Sequence, residues 1–220
     1  MMRPSHSDSM EPRWWHSRRP LFTYLRFYLF WRWLKPRVRG WLSRDSAWLL
    51  YKLARWGPGQ GVIVEVGSAW GRSAIVLATA SKRVGREQVV SVDPHTGGIT
   101  FLQRQQGPVN TYPEFVKNIE RCHVSDWIQP IVLPSSEAAT QWDGRPIRLL
   151  YIDGWHTYDA VKADIEGWFP HLVSGGVIIF DDYSDEFYPE VKRCVDELMT
   201  MDKVQWPLKV FKRKAWTQKI

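Results

Sequence analysis

From residue 60 onward the chain alternates between two kinds of pattern. Short runs that are apolar throughout and rich in β-branched residues occur at 61–67 (GVIVEVG), 88–93 (QVVSVD), 128–133 (IQPIVL), 147–153 (IRLLYID) and 177–182 (VIIFDD). Between them lie stretches whose apolar positions recur every three or four residues. These are 71–83, with Ile75, Leu77 and Ala78; 112–122, with Phe115, Ile119 and Cys122; and a short one at 135–142. The first kind predicts buried strands and the second amphipathic helices. A helix starting at Thr157 is expected to bury Tyr158, Val161, Ile165, Trp168 and Leu172, with Gly175-Gly176 ending it. A last helix over 188–201 and a single last strand over 208–216 complete the series. Fully apolar strands alternating with helices predict an α/β fold: a doubly wound, mostly parallel sheet covered on both faces.

The first 57 residues read differently. Residues 1–20 are rich in Ser, Pro and Arg without periodicity and are expected to be disordered. Residues 21–34 (LFTYLRFYLFWRWL) and 43–59 (SRDSAWLLYKLARWGPG) predict two helices. The first is too short to span a bilayer, which needs roughly 20 apolar residues, and Arg26 and Arg32 interrupt it. No small-residue cleavage site follows it, as a secretory signal would require. A division into a basic arm (1–57) and a catalytic domain (58–220) follows.

Charge sharpens that division. Residues 1–57 hold twelve Lys and Arg against three Asp and Glu, and seven of the fourteen Trp; the rest of the chain holds 18 against 20. The basic character therefore belongs to the arm. It fits packing on its own domain or across a dimer, or peripheral contact of 21–34 with a membrane. Nucleic acid is disfavoured, because the remainder lacks a basic face. Cys122 and Cys194 match no metal or redox spacing and read as free thiols in a reducing compartment or as ordinary packing residues; the expected location is the cytoplasm, with membrane association through the arm as the variant reading.

In doubly wound sheets, ligands sit outside the carboxyl ends of the strands. Glu65, Asp93, Asp153, Asp181 and Asp182 all occupy such ends. After the first strand, Gly67 and Gly71 permit a tight turn and close backbone approach, and Asp93 lies 22 residues beyond Gly71, near the spacing of a ribose-binding acid. No Lys-Ser/Thr follows the glycines, so this is not a phosphate loop. Glu65 would repel a pyrophosphate and suit a cation. S-adenosylmethionine has an adenosine, a sulfonium and an ammonium but no phosphate. Glu65, Gly67 and Ser68 suit its amino-acid end, Asp93 its ribose, and Ser136, with Ser135 and Glu137, the adenine edge. Asp153, Asp181 and Asp182 are expected to crowd together, which calls for a counter-charge; oxygen ligands without thiolate favour Mg²⁺. His156, three residues after Asp153, fits a general base. The segment 95–110 reads as a mobile loop able to close as a lid.

The segments VEVGSAWGRSAIVLA, VVSVDPHTGG and LLYIDGWHTYDAVKADIEGWFPHLVSGGVIIFDDY resemble class I S-adenosylmethionine-dependent methyltransferases, which have a Rossmann-like fold. The nearest branch is the metal-dependent sugar O-methyltransferases related to macrocin O-methyltransferase, with cephalosporin-hydroxylase-like proteins close by. The resemblance covers roughly residues 60–185. It implies Mg²⁺ on Asp153, Asp181 and Asp182, catalysis by His156 and Asp153, a sugar or glycan hydroxyl as acceptor, and often a homo-oligomer. Trp70 and the basic arm depart from the pattern, which leaves the acceptor open. A membrane-contacting arm would admit a glycolipid. A hydroxylase-like relative and a binding protein with a vestigial pocket are the rival readings.

Overall fold

A computed structural model describes residues 20–97, 109–205 and 208–220. The expected disorder of 1–19 and most of the expected lid, 98–108, lie outside these. The elements run α1 (Pro20–Leu34), α2 (Arg44–Trp56), β1 (Val62–Val66), α3 (Arg72–Lys82), β2 (Val89–Val92), α4 (Tyr112–Arg121), β3 (Ile128–Ile131), α5 (Ser135–Thr140), β4 (Ile147–Ile152), α6 (Tyr158–Trp168), β5 (Leu172–Phe180), α7 (Pro189–Leu198), β6 (Lys209–Phe211) and β7 (Lys214–Gln218). They form one seven-stranded sheet in the order β3-β2-β1-β4-β5-β7-β6. Strands β1 to β5 are parallel, and β7 joins β5 antiparallel. This is the doubly wound, Rossmann-like architecture that the alternation of patterns predicts.

Alternate residues of each strand face opposite layers. Ile63, Val89, Leu149, Tyr151, Ile179 and Trp216 pack with α1 to α4, whereas Val64, Val90, Leu150, Ile178 and Phe180 pack with α5 to α7. The chain leaves β1 toward β2 and β3, then returns to lay β4 on the other side of β1. The crevice of such a sheet therefore opens between the carboxyl ends of β1 and β4.

Two expectations need correction. Helix α6 stops at Trp168, because Pro170 lacks the N–H that another turn would use. Leu172 already belongs to β5, which runs through Gly175-Gly176 instead of starting after them. Gly175 sits at φ +75°, and the β4–β5 register jumps from Ile147↔Leu172 to Leu149↔Val177, so these residues form an irregularity within the strand. The single last strand is instead the β6–β7 hairpin, turned at Lys212 with φ +56°.

The arm helices share the core of the sheet. Phe27, Trp31 and Leu34 of α1 are buried with Leu50, Tyr51 and Leu53 of α2, and α2 packs along α3. Ser43 caps α2 by accepting the Ser46 N–H at 3.2 Å. No described helix is long and apolar enough to cross a membrane.

Candidate active site

The first half of the rim is a backbone construction. Gly67 (φ +86°) and Gly71 (φ +87°) bracket the turn from β1 into α3. A Cβ at Gly67 would lie 2.1 Å from the Asp153 carbonyl oxygen, so only glycine lets the ends of β1 and β4 approach this closely. The Asp93 carboxylate accepts the Ser68 N–H at 2.7 Å, the Ala69 N–H at 2.8 Å and the His95 N–H at 2.6 Å. Asp93 thus ties the glycine turn to the end of β2. Asn118 donates to the Trp70 carbonyl at 3.0 Å, and Arg72 donates to the carbonyls of Lys35, Val38 and Gly40 from the arm. Trp70 packs on Trp41 (5.3 Å between ring centres) with the Arg39 guanidinium 4.6 Å from its ring. The arm therefore buttresses the turn.

Glu65 is fully buried beneath this turn, among the hydroxyls of Ser68, Ser73 and Ser91. Neither of its oxygens has a hydrogen bond of good geometry among the described residues. Burial pushes its pKa up to about 7, against the pull of the three hydroxyls, and the nearby Asp93 adds to the rise. A buried, unsatisfied carboxylate is costly unless a donor or cation meets it. Ser136 stands exposed in the first turn of α5, while Ser135 accepts the Trp168 indole N–H at 2.8 Å.

The second half is built of side-chain charge. Tyr151, buried in β4, has its hydroxyl 2.8 Å from Asp153 Oδ2 and 2.7 Å from Asp181 Oδ2. Lys214, 2% exposed on β7, donates to the Tyr151 oxygen at 3.1 Å and forms an ion pair with Asp181. Burial and the neighbouring Asp181 raise the Asp153 pKa well above the usual range, although Lys214 pulls it down. For Asp181 burial pushes the same way but is outweighed by Lys214 and the Tyr151 hydroxyl, which leaves it lowered. The expectation that these acids lack a counter-charge is therefore corrected: the fold supplies an internal cation.

Of the three carboxylates read as a metal set, the structure aims two at a common point. Asp153, His156 and Asp182 offer ligand atoms within 4.8 Å of one another. Asp181 turns inward to Tyr151 and Lys214. Asp182 occupies the left-handed region (φ +56°), which points its carboxylate back toward the rim. Its Oδ2 is 3.1 Å from His156 Nε2 and its Oδ1 3.4 Å from Arg213 Nε. The His156 ring lies 4.5 Å from that of Tyr188. This group could hold a divalent ion or orient a hydroxyl.

Tyr151, Lys214 and His95 escaped the sequence reading. His95 stands at φ +56° and is 2% exposed, with Nδ1 2.8 Å from Thr111 Oγ1 and no hydrogen bond at Nε2 among the described residues. Burial lowers its pKa. Its place two residues after Asp93 is the only sequence signal it carries.

Known proteins resemble this chain in sequence or in fold. The methyltransferase-domain family matches residues 64–183. The uncharacterized protein R132 of Acanthamoeba polyphaga mimivirus is 28% identical over 141 residues, which are 62% of this chain and 58% of that protein, so the match spans little more than half of the relative's length. Among solved structures, the O-methyltransferase NovP aligns with a TM-score of 0.63 at 18% identity, covering 80% of each chain. CalS11, a TDP-rhamnose 3'-O-methyltransferase of calicheamicin biosynthesis, aligns at 0.59 and 19%, covering 93% of this chain and 89% of its own. The methyltransferase PaMTH1 of Podospora anserina, solved with S-adenosylhomocysteine bound, aligns at 0.63 and 14%, covering 97% and 100%. At such identities these likenesses speak to the fold. The family match speaks to more, since it covers over half of the sequence and takes in both halves of the rim from Glu65 to Asp182: this chain belongs to the methyltransferase-domain family.

Proposed function

We propose that the protein is an S-adenosylmethionine-dependent O-methyltransferase whose acceptor is a hydroxyl of a sugar or glycosylated small molecule, assisted by a divalent cation. The observation that carries this reading is the convergence of Asp153, His156 and Asp182 beside the glycine turn, at the crevice between β1 and β4. The sugar acceptor draws support from CalS11, whose name states a sugar substrate. The two free cysteines suit a reducing, cytoplasmic compartment.

The residues fit the methyl donor. The unsatisfied Glu65 carboxylate suits an ammonium or sulfonium, Gly67 and Ser68 leave backbone within reach, and Gly71 opens the turn toward α3. Asp93 keeps lone pairs for ribose hydroxyls while it braces the turn, and Ser136 would edge the adenine. The residues also fit a hard divalent ion: Asp153 and Asp182 supply oxygens, and a shift of the Asp181 side chain would add a third. Such an ion would lower the pKa of the acceptor hydroxyl. With Nε2 held against Asp182, His156 would take the hydroxyl proton on its other ring nitrogen, and the Asp182 carboxylate would stabilise the imidazolium that results. The hydroxyl oxygen would attack the donor's methyl carbon as the S–CH3 bond breaks, its electron pair staying on sulfur and S-adenosylhomocysteine leaving; the closeness of Gly67 to Asp153 supports donor and acceptor lying side by side.

Calorimetric titration of S-adenosylmethionine, and separately of Mg²⁺, into wild type and Asp182→Ala tests this. Donor binding by both forms with Mg²⁺ binding by wild type alone is the expected result. Absence of donor binding would remove the enzyme reading, and donor binding without Mg²⁺ binding would remove the metal from it.

A further inference from the structure

Helix α1 has two apolar faces, and the fold uses one of them. Phe27, Trp31 and Leu34 are buried against α2. On the opposite side Phe22 (59% exposed), Leu25 (51%), Leu29 (59%) and Trp33 (38%) stand one helical turn apart, with Leu21 (81%) beside them. Spacings of three and four residues align them into one continuous stripe. A solvated apolar stripe of this length marks an interaction surface.

The surroundings of the stripe identify its partner. Between Glu11 and Asp45 the chain carries nine Lys and Arg and no acid. Arg26, Arg32, Lys35 and Arg37 are all exposed around α1. Arg26 lies over the Phe22 ring at 5.6 Å and Arg37 over the Trp33 ring at 5.0 Å, so charged heads sit along the margin of the apolar side chains. Alongside the stripe is a hollow lined by Tyr28, Arg32, Lys35, Arg44, Asp45 and Lys212. Its one acid, Asp45, is already paired with Arg44 and Lys212. Arg32 and Lys35 make no ion pair with any described carboxylate, so the hollow has cationic capacity to spare.

A second copy of the chain is a poor occupant. A two-fold interface would press this cationic surface onto itself, with no acid on α1 to answer it. An anionic bilayer meets both features at once: acyl chains accept the stripe, while phosphates meet the arginines and the hollow. Trp33, at the end of the stripe, has the amphipathic ring that settles at headgroup depth. At 15 residues α1 is too short to cross.

We infer that α1 is a peripheral membrane anchor: it lies flat in the surface of an anionic phospholipid bilayer, with Phe22, Leu25, Leu29 and Trp33 immersed and the Arg32–Lys35 hollow seated on lipid phosphate. The inference is independent of the acceptor and of the metal. Flotation of the full chain with vesicles tests it, using phosphatidylcholine alone against phosphatidylcholine containing phosphatidylglycerol. Wild type should float with the anionic vesicles and at least tenfold less with the zwitterionic ones. Leu25→Glu/Leu29→Glu should lose flotation while its melting temperature stays that of wild type, because both leucines are solvated. Arg32→Glu/Lys35→Glu should lose it by a separate route, and wild-type binding should weaken as salt rises. No flotation with anionic vesicles overturns the inference, as does flotation of the leucine variant at wild-type level. A dimer in sedimentation equilibrium that the leucine variant abolishes would assign the face to a second copy and overturn it equally.

Discussion

The two halves of the rim hold their functional groups by different means. Around the donor turn the chain uses backbone: two glycines at positive φ, three N–H groups gathered on Asp93, and carbonyls taken up by Asn118 and Arg72. Around the acids it uses charge, with Tyr151 and Lys214 interposed between carboxylates that would otherwise repel. The first arrangement recognises shape and tolerates little change in it. The second can be re-poised by one proton or one ion. The proposed methyl transfer to a hydroxyl would draw on both: a rigid seat for a donor that always has the same form, and an adjustable field where the acceptor would lose its proton.

The largest effect is expected where the halves touch. Gly67→Ala sets a Cβ against the Asp153 carbonyl at a positive φ, so strain and overpacking together should cost about 3–5 kcal/mol in a urea melt. Donor binding and the metal site should fail together in this variant. An intact metal site with donor binding lost would show the halves to be more separable than the geometry implies.

Lys214→Met comes next. It strands Asp181 and Asp153 without their internal cation, at a cost of about 3 kcal/mol. Added Mg²⁺ should restore more stability to this variant than it gives wild type, while the donor turn keeps its affinity.

Glu65→Gln probes the donor half by pH. The folded pKa of about 7 lies above the unfolded value of 4.5, so the folded state keeps a proton that the unfolded chain has lost. Stability therefore falls as pH rises from 4.5 to 7 and then levels, with about 3 kcal/mol lost in all. Asp164, raised to about 6 by burial, adds a slope of the same sign, so the difference between wild type and the variant isolates Glu65. The variant should be more stable than wild type at pH 8 yet bind the donor more weakly. Wild-type donor affinity should fall roughly tenfold for each pH unit below 7, as Glu65 takes up its proton.

The smallest change in stability belongs to His156→Gln. The ring is 36% exposed, so unfolding should shift by about 0.5 kcal/mol or less. Methyl transfer should nonetheless fall about 10²–10³-fold with donor binding unchanged. Unchanged turnover would take the base away from His156.

The same contrast explains what was legible in the sequence. Glycines and strand ends are local signals, so the sheet and the glycine turn after its first strand could be read directly. The counter-charge to the acids comes from a strand about 30 residues further on, in a run of three cations (Lys212, Arg213, Lys214) that looks uniformly solvated. Alternation does put Lys214 on the same face as Trp216, and a hairpin reading of 208–216 would have brought it under Asp181. That turn sits on Lys212, which lacks the glycine or asparagine that usually announces it. Asp182 illustrates the same limit: its left-handed backbone decides which of two neighbouring carboxylates faces outward, and composition cannot show that.

The Arg72 guanidinium has a consequence beyond bracing. It belongs to the first residue of α3, beside the donor turn, yet it holds the carbonyls that close α1 and the segment after it. Thermodynamic reciprocity then applies: if docking of α1 on a bilayer shifts that segment and changes donor affinity by some factor, donor saturation must change partitioning onto the bilayer by the same factor. The occupancy of one small molecule would set how much of the protein resides at a surface.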